Sequence, residues 1–272
     1  MPKERVDILA TRSGLFETRE KAKRAIMAGL LVNAKNGERF DKPGEKVPTD
    51  TEFRVKGEVL PYVSRGGLKL AKALEKFDLE ITDKIVLDIG ASTGGFTDVS
   101  LQNGARLVYA LDVGTNQLAW KLRQDSRVVV MEQTNFRYAK STDFLEGLPN
   151  FATIDVSFIS LSLILPTLFD ILVENGDVVA LIKPQFEAGK ENVGKNGIVR
   201  DKKVHIEVIQ RVLNLACELG FDVRNLDFSP ITTGGQGNIE FLAHLKKTSH
   251  QAMIAPEIEV ASLVNIAHDT LS

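Results

Sequence analysis

Glycines at 90, 94 and 95 follow the short apolar run Ile85-Val86-Leu87-Asp88-Ile89 and lead into a helical pattern from Phe96-Thr97. Glycine there permits left-handed dihedrals and leaves no side chain between backbone and ligand, so a buried parallel strand can deliver its end to a nucleotide-type molecule. A dinucleotide site needs Gly-x-Gly-x-x-Gly and an acid about 20 residues on. Gly90-Ala91-Ser92-Thr93-Gly94-Gly95 does not fit that spacing. Asp112, closing the run Leu107-Val108-Tyr109-Ala110-Leu111, can accept from both hydroxyls of a ribose diol. A nucleoside without pyrophosphate fits better, and S-adenosylmethionine is the cofactor this points to. Asp88 has two readings: a ligand contact, or a strand-end acid that holds the glycine turn.

The elements that must position these residues are readable on either side. Strands are expected near 85–89, 107–112, 127–131, 151–155, 178–183, 221–227 and 239–245, with helices such as 95–103, 160–173 and 202–219 between them. This alternation predicts an α/β fold, an open and mostly parallel seven-stranded sheet covered on both faces. The last two strands have no room for a helix between them and should pair antiparallel. Residues 189–201 carry three glycines with Lys190, Lys195 and Arg200 and no apolar period, which reads as a loop beside the active-site edge. After Lys247 a tail with Ile258, Val260, Leu263, Val264 and Ile266 predicts one more helix.

Charge divides the chain. Residues 1–76 hold 17 Lys+Arg against 11 Asp+Glu, whereas 77–272 hold 17 against 25. A basic module for a polyanion, joined to a catalytic body, accounts for this split. No apolar stretch is long enough to span a membrane, and Pro2-Lys3-Glu4-Arg5-Val6-Asp7 lacks the apolar core of a signal peptide, so a cytoplasmic protein is expected. The single cysteine, Cys217, reads as an inert thiol on an apolar helix face. Trp120 reads as core, and His205 and His244 as packing or surface residues without metal-ligand spacing; no metal is expected.

Within the basic part, residues 5–13 are compatible with a short helix ended by Gly14. Thr18 can cap a second helix with Ala22, Ala25 and Ile26 on one face and Gly29 at its end. A strand at Leu30-Leu31-Val32, a turn at Asn36-Gly37 and a strand near Glu52-Phe53-Arg54-Val55 follow. This order resembles the S-four-like RNA-binding domain, a small α+β module first described in a ribosomal protein. The resemblance implies RNA contacts through Arg5, Arg12, Arg19, Lys23 and Arg24, mainly to phosphates, which give affinity and register more than sequence readout. Arg65, at the junction with the second domain, is a further candidate.

Farther on, Ala91-Ser92-Thr93-Gly94-Gly95-Phe96-Thr97, Val156-Ser157-Phe158-Ile159-Ser160-Leu161, Lys183-Pro184-Gln185-Phe186-Glu187 and Gly237-Asn238-Ile239-Glu240 together resemble the TlyA family. Its members join an S-four-like domain to an FtsJ-type methyltransferase domain. The resemblance implies S-adenosylmethionine as cofactor and 2′-O-methylation of a cytidine ribose in ribosomal RNA, with ribosomal RNA or ribosomal subunits as partners. It implies domains at 1–59 and 65–247, a linker at 60–64 and a partly helical tail at 248–272. Gly90, Gly94 and Phe96 would surround the methionine end, Asp112 the ribose, and Asn135 the adenine, with Asp88 and Asp155 also at the cofactor.

A ribose hydroxyl is a poor nucleophile, so such an enzyme needs alignment and a group to orient the hydroxyl and take its proton. FtsJ-type enzymes use a Lys-Asp-Lys-Glu set, and the matching residues are Lys69, Asp155, Lys183 and Glu240. Two rivals stand beside this reading. One is a membrane-damaging haemolysin, a name also attached to the family, although neither a spanning helix nor alternating barrel hairpins is evident and no stable membrane association is expected. The other is an RNA-binding protein that retains the fold without catalysis.

Overall fold

The computed structural model describes residues 2–56, 60–232 and 237–271. The chain forms two compact units, Met1–Pro61 and Tyr62–Ser272.

The first unit runs β1 (Lys3–Arg5), α1 (Val6–Arg12), α2 (Arg19–Met27), β2 (Leu31–Asn33), β3 (Lys46–Pro48) and β4 (Phe53–Val55). The Thr18 hydroxyl caps α2 by accepting from the Lys21 N–H at 3.2 Å. β2 pairs antiparallel with β4, and β1 with β3. The second pair escapes a sequence reading, because three-residue strands made of Lys3-Glu4-Arg5 and Lys46-Val47-Pro48 show almost no apolar alternation. Val6, Leu9, Phe16, Ala22, Ile26, Leu31 and Phe40 fill the core. Asp7 is wholly buried at the start of α1, a position tenable for a carboxylate only because two guanidinium groups meet it.

The second unit continues with α3 (Gly67–Lys76), β5 (Ile85–Ile89), α4 (Gly95–Gln102), β6 (Leu107–Leu111), α5 (Trp120–Arg123), β7 (Val128–Met131), β8 (Phe151–Ile154), α6 (Leu165–Ile171), β9 (Asp177–Ile182), α7 (Pro184–Glu187), α8 (Lys202–Leu219), β10 (Phe221–Phe228), β11 (Phe241–Lys247) and α9 (Val260–Leu271). Its seven strands lie in the order β10-β11-β9-β8-β5-β6-β7. β7, β6, β5, β8 and β9 are mutually parallel, and β11 and β10 complete the sheet antiparallel. One apolar cluster packs Leu165, Leu168, Val208, Val212 and Val264 on one face of the sheet, and another packs Leu70, Leu74, Phe96, Val99 and Leu122 on the other. Burial on both faces explains why the central strands read as continuous apolar runs.

Two local expectations are corrected, and the helix expected in the tail gains its partner. The helix expected over 160–173 is split into a 3-10 turn, Leu161–Leu163, and α6, since Pro166 has no N–H to continue a helix from the preceding turn. Trp120 is 71% exposed and is not core, because it opens a single-turn helix whose inward position is taken by Leu122. The stretch after 247 is packed against the sheet: Val223 and Ile254 form a parallel bridge, and Val260, Val264 and Ala267 of α9 are buried beside α8.

Candidate active site

The sheet sets the site. From β5 the chain winds outward through β6 and β7, then returns to β8 on the other side of β5. At such a switch point two adjacent strand ends diverge and leave a crevice for ligand. The glycine turn leaves β5, and Asp155 follows β8 by one residue.

The turn is held from several sides. The N–H groups of Gly90 and Ala91 both donate to the Leu111 carbonyl, at 2.9 and 3.0 Å. Gly90 and Gly94 have φ of +86° and +96°. A Cβ on Gly90 would lie 2.6 Å from the Asp155 carbonyl oxygen, so glycine is required both by conformation and by the approach of the β8 end. The Asp112 carboxylate accepts from the Ser92 N–H at 2.8 Å and the Gly114 N–H at 2.7 Å. It is half-buried, and its remaining lone pairs can accept ribose hydroxyls. A bare backbone turn with such an acid beside it fits a nucleoside cofactor.

The other residues expected at the cofactor have partners within the protein. Asp88 is fully enclosed, and its two oxygens accept from the hydroxyls of Thr97 (2.7 Å) and Thr153 (3.0 Å), which fastens β5 to α4 and β8 beneath the turn. Burial outweighs these hydrogen bonds and pushes its carboxyl up to about 6. Phe96 is 4% exposed within the core. Asn135 is exposed and caps a 3-10 turn, its side chain accepting from the Arg137 N–H at 3.1 Å.

Beyond the turn lies a chain of four charges. Lys183 Nζ lies 2.5 Å from Asp155 Oδ1, Asp155 Oδ2 lies 3.2 Å from Lys69 Nζ, and Lys69 Nζ lies 2.6 Å from Glu240 Oε2. α3 delivers Lys69, the ends of β8 and β9 deliver Asp155 and Lys183, and Glu240 immediately precedes β11. Lys69, Lys183 and Glu240 are buried. Two ammonium and two carboxylate groups cancel, which makes their enclosure tolerable. Burial opposes the charge of Lys69, but Asp155 and Glu240 outweigh it and hold its ammonium above the ordinary range. Burial likewise opposes ionisation of Asp155, and the two lysines outweigh it, holding this carboxyl below its usual range. Lys183 also donates to the Ser157 hydroxyl at 3.3 Å.

Three neighbours were not singled out from sequence. Phe158 has φ of +64°, is 90% exposed, and lies 4.9 Å from the Phe186 ring, itself 5.8 Å from Lys183 Nζ. Its place in the Val156-Ser157-Phe158 motif was the available signal. Gln185 Nε2 approaches Glu240 Oε1 at 3.4 Å. Glu132 accepts from the N–H groups of Asn116, Gln117 and Leu118 and meets Arg123, fixing the loop that follows Asp112.

In the first unit Arg5 and Arg19 reach Asp7 at 2.9 and 2.8 Å, Arg12 reaches Glu4 at 2.7 Å, and Lys23 reaches Glu20 at 2.6 Å. Arg24 is exposed on α2 and Arg65 is exposed just before α3. Among the described residues no group of three His, Cys, Asp or Glu could hold a metal ion, and no helix is long and apolar enough to cross a membrane.

The switch-point turn and the seven-stranded order, with its antiparallel last pair, define a Rossmann-like methyltransferase domain. The chain belongs to the FtsJ-like methyltransferase family, whose model matches residues 62–247, and within it to the TlyA proteins. It is 60% identical over 271 residues to a Bacillus subtilis protein named as a candidate rRNA methyltransferase, YqxC, covering 99% of this chain and 95% of that one. It is 40% identical over 258 residues to the Mycobacterium tuberculosis 16S/23S rRNA (cytidine-2′-O)-methyltransferase TlyA, covering 94% and 95%. A solved Streptococcus thermophilus structure, described as a candidate haemolysin, is 64% identical with a TM-score of 0.77, covering 99% and 97%.

Proposed function

We propose that this protein transfers a methyl group from S-adenosylmethionine to the 2′-hydroxyl of a cytidine ribose in ribosomal RNA. The observation that carries the reading is the charge chain Lys183–Asp155–Lys69–Glu240 beside the glycine turn. When bound, the cofactor supplies a sulfonium-activated methyl group. The backbone of the turn that Gly90 and Gly94 shape would face its amino-acid end, and Asp112 would receive its ribose hydroxyls. The Asp155 carboxylate, which lies beside the turn, would favour a cationic donor.

At the acceptor, Lys183 is the member of the set whose second partner is a hydroxyl, that of Ser157. An acceptor hydroxyl taking up a similar position is oriented by the Lys183 amine. In its neutral form that amine would take the hydroxyl proton as the new oxygen–carbon bond forms and the methyl–sulfur bond of the donor breaks, leaving a neutral thioether. Asp155 orients Lys183, Lys69 and Glu240 hold the set in place, and the set is neutral again once Lys183 carries the proton. The exposed ring of Phe158 offers a stacking face for the acceptor base. The first unit, an S-four-like domain in this reading, holds the RNA through Arg5, Arg12, Arg19, Lys23 and Arg24, and the exposed Arg65 adds a further contact.

The test is methyl transfer by the purified protein to ribosomal subunits and to naked ribosomal RNA, with the product nucleoside mapped. A 2′-O-methylcytidine is the expected product. Methylation confined to a base, or transfer to neither substrate, would sink the reading.

A further inference from the structure

His205, on α8, is wholly buried, yet the charge chain does not use it. Its Nε2 lies 3.1 Å from the Val199 carbonyl, and its Nδ1 lies 3.0 Å from Nε2 of His268 on α9. A carbonyl only accepts, so His205 carries its proton on Nε2, and Nδ1 must accept from His268. Burial, aided by His268, holds His205 down at about 4, and burial also lowers His268, so both rings are neutral near pH 7.

Val199 closes the loop over 189–200. On its other side the Val199 N–H donates to Asn238 Oδ1 at 2.9 Å, and Asn238 Nδ2 donates to the Gly197 carbonyl at 2.9 Å. Asn238 stands two residues before Glu240. The His205 ring also packs edge-on against Phe241, at 5.6 Å, the residue directly after Glu240. One buried imidazole thus touches the C-terminal helix, the loop that follows α7, and the strand start that carries Glu240.

We propose that His205 and His268 are positioning residues through which α9, together with Asn238, fixes the 189–200 loop and the Glu240 segment, so that the C-terminal helix governs turnover of the bound acceptor. The inference rests on the methyltransferase reading above. Loss of His268 removes the ring by which α9 reaches this network and leaves His205 Nδ1 without its donor, while the turn at 90–95 and Asp112 keep every contact. The effect therefore falls on kcat and not on cofactor affinity.

The test uses the full chain with ribosomal subunits and labelled methyl donor, and follows hydrogen exchange of the 194–199 segment. His268→Ala should lower kcat by about 2- to 30-fold, the range of coupling carried through packed networks. Cofactor affinity and the KM for RNA should hold, and exchange at Val199 should quicken. His205→Gln, which keeps a donor toward the Val199 carbonyl, should retain more activity than His205→Ala. Wild-type kcat and exchange in His268→Ala would overturn the proposal. So would a loss that appears only in KM, or one as large in His205→Gln as in His205→Ala. The exchange measurement is independent of the reaction: a wild-type protein that methylates no ribose would refute the function while this arm still decides the positioning role.

Discussion

Replacing Lys183 by Met keeps the length and apolar stem of the side chain and removes only the amine, so it isolates the chemistry assigned to that group. In the native site Asp155 lies between Lys183, at 2.5 Å, and Lys69, at 3.2 Å. Without Lys183 the carboxylate keeps Lys69, and the enclosed set passes from neutral to a net charge of minus one. Removing one partner of a buried pair costs about 3–5 kcal/mol when the other is stranded. Here a second lysine remains and the Asp155 side chain is 19% exposed, so a loss of about 1–3 kcal/mol is expected, within reach of a folded domain. The reaction should suffer far more. Removing a placed base lowers the rate by about 10²- to 10⁴-fold, or about 3–5 kcal/mol of barrier. Lys183 makes no contact with the glycine turn or Asp112 among the described residues, so cofactor affinity should change little. Single-turnover methyl transfer, paired with calorimetric titration of S-adenosylmethionine, separates the two quantities. Undiminished turnover, or a loss that tracks weakened cofactor binding, would refute the assignment.

Three further substitutions probe other parts of the molecule. Gly90→Ala forces a side chain into φ of +86° and into the Asp155 carbonyl; it should cost about 1–3 kcal/mol and weaken cofactor binding, checked by thermal denaturation and titration. Phe158→Ala should leave stability near wild type and raise the KM for RNA, by the equivalent of about 1–3 kcal/mol if a base stacks there; an unchanged KM argues against the platform. Asp7 is held down at about 2, by Arg5 first and then Arg19 against the opposing effect of burial. A folded-state value below the ordinary 3.8 means that this pairing stabilises the first unit fully above about pH 4 and is lost as pH falls through about 2. With both arginines partly exposed the contribution is about 1 kcal/mol, and Asp7→Asn should flatten this acid dependence in hydrogen exchange of the Val6 and Ala22 amides.

The central strands of the sheet were legible because burial on both faces writes them as nearly unbroken apolar runs, and the glycine turn because its conformation admits few other residues. Lys69, Asp155, Lys183 and Glu240 are separated by up to 171 positions, and only the resemblance to TlyA proteins put them in one set. Spacing alone could not, since their meeting depends on the β8–β9–β11 order. Asp88 illustrates the opposite limit. An acid at the end of a strand looks the same in sequence whether it faces a ligand or two threonine hydroxyls, and only the packing of Thr97 and Thr153 against it tells. The basic residues of the first unit were legible as a cluster, but their partners were not. Asp7 sits in a helix first turn where an acid is ordinarily solvated, and its enclosure with Arg5 and Arg19, twelve positions on, is a tertiary contact that local pattern did not reveal.

Asp155 joins two functions that the sequence keeps apart. Its side chain bridges the lysines, its N–H donates to the Ile89 carbonyl at 3.0 Å, and its own carbonyl occupies the space that any side chain on Gly90 would need. In the proposed reaction the backbone that would cradle the methyl donor and the carboxylate that would orient the acceptor's proton-handling group therefore belong to one contact between two strand ends. An in-line transfer depends on the relative placement of donor and acceptor to well under an ångström. In the proposed reaction that placement would rest on the close approach of Gly90 and Asp155. A displacement of the glycine turn is consequently felt at Lys183 through Asp155, which is why Gly90→Ala should lower turnover even at saturating cofactor.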